Sequence, residues 1–240
     1  MRVAVSLDAT GRWRWALHSP DGLGLAESCG TFATYALAVL NADEVCRGIP
    51  DAPVEVEVPP SRIGASPTAR MTEAFAQVCG ALRTQGLHAA LGVLNRPLGH
   101  RYSAVYAMTA AQRLVNIGFF DKRGEALPSM LQSVAYNQSF CQFAIRDGQF
   151  RTENSALDTR LDGNVYQGVL NSYHAVPLVS MQGQVLGTLC HFDTAALALD
   201  DEDFELLRLA AEVFVHWLPE PAATTAVALP LAPASGSSPG

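Results

Sequence analysis

The residues of this chain best equipped for chemistry are two cysteines and the histidines near them. Cys190 and His191 are adjacent inside an apolar run, Cys141 follows Asn137-Gln138-Ser139-Phe140, and His174 follows Tyr173. A thiol beside a basic group is the setting for redox work or for anchoring a chromophore, because only the thiolate attacks and a nearby cation lowers its pKa. The plainer reading is that each cysteine is a small buried hydrophobe, its most frequent state. Both readings stand open for Cys141 and Cys190. A metal centre has little support, since successive strand residues point to opposite faces and Cys190 and His191 cannot share one ion without a bulge. The sequence holds no Gly-x-Ser-x-Gly elbow, no phosphate loop and no histidine pair at metal spacing, so no catalytic residue and no metal ligand is assigned.

The elements that must position these residues are written in the hydrophobic pattern. Tyr173 to Val179 and Val185 to Asp193 are apolar runs joined by a short segment containing Gly183, which reads as a β-hairpin. Gly187 interrupts the second run, where a missing side chain points to close approach of another backbone or a bound molecule. Phe204, Leu207, Ala211, Phe214 and Leu218 recur at 3-4-3-4 spacing, predicting a helix over 201–218 with Asp200 as its N-cap. Met71, Phe75, Val78 and Leu82 form a matching stripe on a helix that Gly86 ends. Between these helices the pattern predicts a hairpin of Tyr102–Met108 with Arg113–Phe120, a helix over 128–141, a short hairpin around Phe143 to Phe150, and a polar excursion from Thr152 to Tyr173 holding one short helix.

Before residue 58 the pattern differs. Val3, Val5 and Leu7 alternate, Arg12 to Leu17 alternate again, Pro20-Asp21-Gly22 is a turn, Leu23 to Ser28 predicts a third strand, and Thr34 to Arg47 predicts a helix. Val54, Val56 and Val58 alternate with glutamates as one more strand. Trp13 and Trp15 share a strand face and are expected to cover that helix. A proline-bearing linker over 59–67 separates this unit from a second domain over 68–218, and the Pro-, Ala-, Ser- and Gly-rich residues 219–240 are expected to be a disordered tail. The 240 residues are 49% hydrophobic, enough for a substantial core, and carry a net charge of −7. That charge argues against nucleic acid and anionic membrane as partners. Five scattered cysteines with no CxxC pair suit a reduced, cytoplasmic setting better than a disulfide framework.

The order Tyr173-His174-Ala175-Val176-Pro177-Leu178, Gly187-Thr188-Leu189-Cys190-His191-Phe192-Asp193 and an acid-capped last helix resembles the closing half of GAF domains. His100-Arg101-Tyr102 and Phe119-Phe120-Asp121 resemble a bacterial subset with a Cys-His-Phe-Asp ending. Gly11-Arg12-Trp13-Arg14-Trp15 with Asp21-Gly22 and Thr31-Phe32-Ala33-Thr34 is similar to YegP-like β-β-β-α modules. The resemblances imply an α+β class: an antiparallel sheet with packed N- and C-terminal helices, preceded by the small module. They also imply a pocket on the free sheet face, roofed by residues 137–172. Asn137, Cys141, Tyr173 and His191 are then the expected ligand-binding residues, with His191 bonded to the roof or to Asp158. Asp158 and Arg160 are the residues expected to hold the roof, unless they form only a solvated turn or Arg160 meets an anionic ligand. Asn154 stands where the family has an acid, a departure that speaks against a cationic ligand or metal. The expected function is a small-molecule sensor acting through a partner protein or a homodimer change, without catalysis and with the cofactor unassigned. A free methionine sulfoxide reductase, a bilin photoreceptor and an interaction scaffold with a collapsed pocket are the alternatives.

Overall fold

The computed structural model describes residues 2–32, 35–46, 69–180 and 183–218. Three strands, β1 (Arg2–Leu7), β2 (Trp13–His18) and β3 (Gly24–Glu27), form an antiparallel sheet in the order β1-β2-β3. Helix α1 (Tyr35–Cys46) packs on β1 and β2. Alternation turns Val3, Val5, Trp15 and Leu17 inward onto Ala38, Val39 and Ala42 of that helix. The Trp15 indole nitrogen donates to Asn41 Oδ1 at 2.8 Å, so this tryptophan is a core residue with its polar atom paired. Leu7, expected on the same face as Val3 and Val5, is half exposed. The strand Val54–Val58, the linker over 59–67 and the tail over 219–240 lie outside the described residues.

The larger unit begins with α2 (Ala69–Gln85) and α3 (Leu87–Asn95), separated by Gly86 at a φ of 85° and a ψ of −174°, an extended positive-φ conformation open to glycine that ends the first helix. The apolar segment up to Leu94 is thus a second helix. Strands β4 (Tyr102–Met108) and β5 (Arg113–Asp121) form the expected hairpin. Then follow α4 (Ser129–Gln132), the edge strand β6 (Ser133–Ala135), α5 (Cys141–Asp147) and the opposite edge strand β7 (Phe150–Thr152), so the roof begins at Ser129 and not at residue 137. Strands β8 (Ser172–Val179) and β9 (Val185–Asp193) and helix α6 (Asp201–Phe214) complete the larger unit. The sheet order is β6-β5-β4-β9-β8-β7, antiparallel throughout.

Three expectations are corrected here. The helix over 128–141 stops at Gln132, because Ser133–Ala135 instead satisfies the free edge of β5 through pairs such as Leu114↔Val134. The hairpin around Phe143 is a helix: Phe140, Cys141 and Ala144 fall on one buried helical stripe, and Gly148 ends it at a φ of 78°. The polar excursion holds two 3₁₀ turns, Ser155–Leu157 and Thr159–Leu161, in place of one helix.

Helices α3 and α6 cover one face of the six-stranded sheet, and α2 packs on both of them. The stripe residues of α2 and α6 are all buried, and the Asp200 carboxylate caps α6 by accepting from the Asp203 amide at 2.7 Å. Leu206, Leu209 and Ala210 of α6 are buried as well. α6 is apolar almost all round because α1 packs on it too, and one apolar cluster runs from Val3 and Trp15 through α1 to Phe75, Leu207 and Phe214.

Candidate functional site

The alternation of β8 and β9 sorts the candidate residues onto two faces. Tyr173, Ala175, Cys190 and Phe192 face the roof, whereas Val176, Leu178 and Leu189 face the helices. Between roof and sheet lies a cavity. The sheet supplies Tyr106, Leu114, Tyr173 and Phe192, and the roof supplies Leu131, Val134, Ser139, Phe140, Cys141, Tyr166 and Leu170. No lining side chain is charged. Its free volume is about 20 Å³, room for one water molecule.

Polar groups in the cavity are few and paired. The Thr188 hydroxyl donates to Cys141 Sγ at 3.0 Å, and Cys141 Sγ is also 3.0 Å from the Tyr173 hydroxyl. Cys190 Sγ donates to the Ala104 carbonyl at 3.5 Å. Burial pushes both thiols up, Cys190 well above its ordinary value, against the smaller opposing effect of these hydrogen bonds. The Tyr173 hydroxyl is pushed well up by burial, and further by the adjoining thiols. Neither thiol is therefore poised as a thiolate at neutral pH.

Cys141 and Tyr173 are thus at the cavity, while Asn137 and His191 are not. Asn137 is exposed on a 3₁₀ turn, where its carbonyl accepts from Gln142 Nε2 at 3.0 Å. His191 is on the helix side of the sheet, as it must be once Cys190 faces the roof. It bonds neither the roof nor Asp158: its Nδ1 is 2.6 Å from Ser103 Oγ, which in turn accepts from Asn95 Nδ2 at 2.7 Å. Residue parity in the sequence was a sufficient signal for this, and the same parity marks Phe192 as a cavity residue.

His191 belongs to a buried histidine cluster. His100, His174 and His191 are all fully buried, with ring centroids of His100 4.9 Å from His174 and 6.4 Å from His191. Both nitrogens of His100, Nδ1 of His174, Nε2 of His191 and Oδ1 of Asn95 have no hydrogen-bond partner among the described residues. Desolvation lowers His100 to about 4 and His174 to about 3, and holds His191 well below its ordinary value. Asp193 opposes the shift at His100, while Lys122 reinforces it there and at His191, and Arg151 reinforces it at His174. Among the described residues no group of three His, Cys, Asp or Glu side chains has the geometry to hold a metal ion.

Asp158 and Arg160 pair with each other on the roof. The guanidinium donates to both carboxylate oxygens at 2.8 and 2.6 Å and to the Arg151 carbonyl at 2.8 Å, and it lies 4.7 Å from the centre of the Phe150 ring. Asp158 also accepts from the Arg160 amide at 3.1 Å, capping the second 3₁₀ turn, and the arginine hydrogen bond is the main cause of its lowered pKa. Asn154 caps the first turn by accepting from the Ala156 amide at 3.2 Å.

The quoted motif residues 100–102, 119–121 and 190–193 meet in one structural knot. The Arg101 amide donates to Asp193 at 2.7 Å, and its guanidinium donates twice to Asp121, each at 2.6 Å. The Tyr102 ring stacks between Phe119 and Phe192.

No protein-family model matches this sequence, and a search of curated proteins found no relative. Among solved structures the chain is similar to the GAF domain of an Acinetobacter phosphoenolpyruvate-protein phosphotransferase, with a TM-score of 0.50, 12% identity, and coverage of 62% of this chain and 93% of that one. It is also similar to the chromophore-binding domain of a bacteriophytochrome from R. palustris, with a TM-score of 0.49, 12% identity, and coverage of 62% and 60%. A third is the free methionine-R-sulfoxide reductase from Neisseria meningitidis, with a TM-score of 0.48, 17% identity, and coverage of 62% and 92%. The curled antiparallel sheet with its flanking helices is a GAF fold. Among the described residues no helix is long and apolar enough to cross a membrane.

Proposed function

We propose that this protein is a regulatory module that binds a small molecule beneath the roof and does no covalent chemistry on it. The observation that carries this reading is the cavity enclosed between the sheet and the roof, neutral on every side and walled by aromatic rings. Concave apolar sites with a few polar groups are where small ligands bind. The buried, up-shifted thiols of Cys141 and Cys190 favour this over the alternative of a free methionine sulfoxide reductase, which would need an accessible thiolate. A zwitterionic amino acid would in addition find no charged side chain in the lining.

The binding signal leaves through α6, which backs the same sheet, and passes from α6 to α2 and α1. A partner protein or a change between two copies of the chain would read it, and nucleic acid and membrane are not among the partners proposed. We read the first sheet and α1 as a YegP-like module that forms this output surface. The small free volume favours a second reading, an interaction scaffold with a closed pocket.

Native mass spectrometry of freshly purified protein, followed by hydrogen exchange with and without any co-purified molecule, separates the two. Ligand-dependent protection in 129–192 is expected. Protection confined to β1 and β2 would refute the site, and sulfoxide reduction that is lost in Cys141→Ser would refute the non-catalytic reading.

A further inference from the structure

The polar inventory of the cavity limits what can occupy it. The Tyr106 hydroxyl donates to the Leu131 carbonyl at 3.0 Å, that of Tyr166 to the Met130 carbonyl at 3.5 Å, and that of Ser139 to the Tyr136 carbonyl at 2.9 Å. Those three groups are committed to backbone. Asp158 and Arg160 of the roof pair with each other outside the lining. What remains is the Tyr173 hydroxyl, held against the Cys141 sulfur. Sulfur is a weak hydrogen-bond partner, so this phenol gains by exchanging it for a ligand oxygen. A charged ligand would be stripped of water with nothing to replace it.

The walls are ring-shaped in their demands. Phe140 meets Tyr173 edge to face at 5.4 Å, and Phe192 stacks on Tyr173 at 5.9 Å, so a planar ring entering the cavity finds both edge and face partners. An apolar cavity that holds benzene has a volume of about 150 Å³, far above the present 20 Å³. Space must therefore come from movement of the walls, with the Tyr106 and Tyr166 hydroxyls keeping their backbone partners.

We propose that the ligand is a neutral, single-ring molecule with one hydrogen-bonding group, of cresol size, admitted when the cavity widens around it and held through Tyr173. This rests on the binding reading above and narrows it to a chemical class.

The test compares p-cresol, toluene and 4-hydroxybenzoate by calorimetry and by thermal shift on the full chain. Saturable p-cresol binding is expected, about tenfold weaker for toluene, which lacks the hydroxyl, and at least about a hundredfold weaker for 4-hydroxybenzoate, whose carboxylate has no partner. Tyr173→Phe should weaken p-cresol about tenfold and leave toluene unchanged. Val134→Phe, which fills the cavity, should abolish both while circular dichroism shows the fold kept. If Val134→Phe does not fold, the Tyr173→Phe comparison decides alone. Equal affinities for p-cresol and toluene, or 4-hydroxybenzoate binding as well as p-cresol, would overturn the class. A charged co-purified molecule that protects 129–192 would overturn it while leaving the sensor reading intact. No binding by any of the three, with no protection by any co-purified molecule, would overturn both.

Discussion

Replacing Gly187 by alanine tests the close approach of β9 to β4. A methyl group built there overlaps the Tyr106 carbonyl oxygen outright, and lies 3.0 Å from the Tyr106 carbonyl carbon and 3.1 Å from Ala107 Cα. Carbon atoms in good contact are about 3.5–4.0 Å apart. The obstacle is backbone in the middle of a six-stranded sheet, so no rotamer change relieves it. The strands must part around the pairs Ala107↔Gly187 and Tyr106↔Thr188. Overpacking costs about 1–3 kcal/mol and a ladder hydrogen bond about 1 kcal/mol net, so a loss of about 2–4 kcal/mol is expected. At about 2–4 °C per kcal/mol for a protein of this size, the melting temperature should fall by about 5–15 °C. Gly187→Val should cost at least as much. Gly80, inside α2 with nothing within 4 Å of its missing Cβ, is the matched control: Gly80→Ala should stabilise by about 0.5–1 kcal/mol. Urea and thermal melts of the variants measure both effects. An unchanged melting temperature for Gly187→Ala would refute the argument that backbone contact fixes this glycine.

The buried histidines predict acid sensitivity. Their folded values lie below the ordinary 6.5, His100 at about 4 and His174 at about 3, so the stability of their neutral forms is present above pH 6.5 and is lost as pH falls from there toward 4. His100 and His174 each contribute about 1.4 kcal/mol of loss by pH 5.5 as the unfolded chain takes up protons, and His191 adds in the same direction. Urea melts across pH 8 to 5 measure it, and His100→Leu should remove about a third of the loss. Thiol labelling should find Cys29 reactive and Cys141 and Cys190 inert until denaturant is added, when all five cysteines react; fast labelling of Cys141 in native protein would contradict its burial. Asp158→Ala removes the cap and the ion pair of the roof, and should raise hydrogen exchange in 155–170 about fivefold, corresponding to about 1 kcal/mol, with little change in melting temperature.

Long periodic segments were legible in the sequence alone. The 4-3-4 stripe of Met71 to Leu82 and the 3-4-3-4 stripe of Phe204 to Leu218 each repeat a buried residue at a spacing that one element geometry alone satisfies, and β8 and β9 were legible as short apolar runs joined by a Gly-bearing turn. The segment 128–150 was not legible, because its elements run to seven residues at most and their state depends on what they meet. Ser133–Ala135 is a strand because the edge of β5 was free, and Phe143 lies on a helix because Cys141 and Ala144 found the cavity side of the sheet. The site divides in the same way. That Cys190 and His191 face apart follows from strand parity, a property of neighbours in the chain. That His191 meets Ser103 across 88 residues, that Thr188 meets Cys141 across 47, and that His100 closes a cluster with His174 and His191 were decided by the strand order β4-β9-β8. Local periodicity reports which side of an element is buried; only the assembled sheet determines which residues, distant in sequence, are buried together.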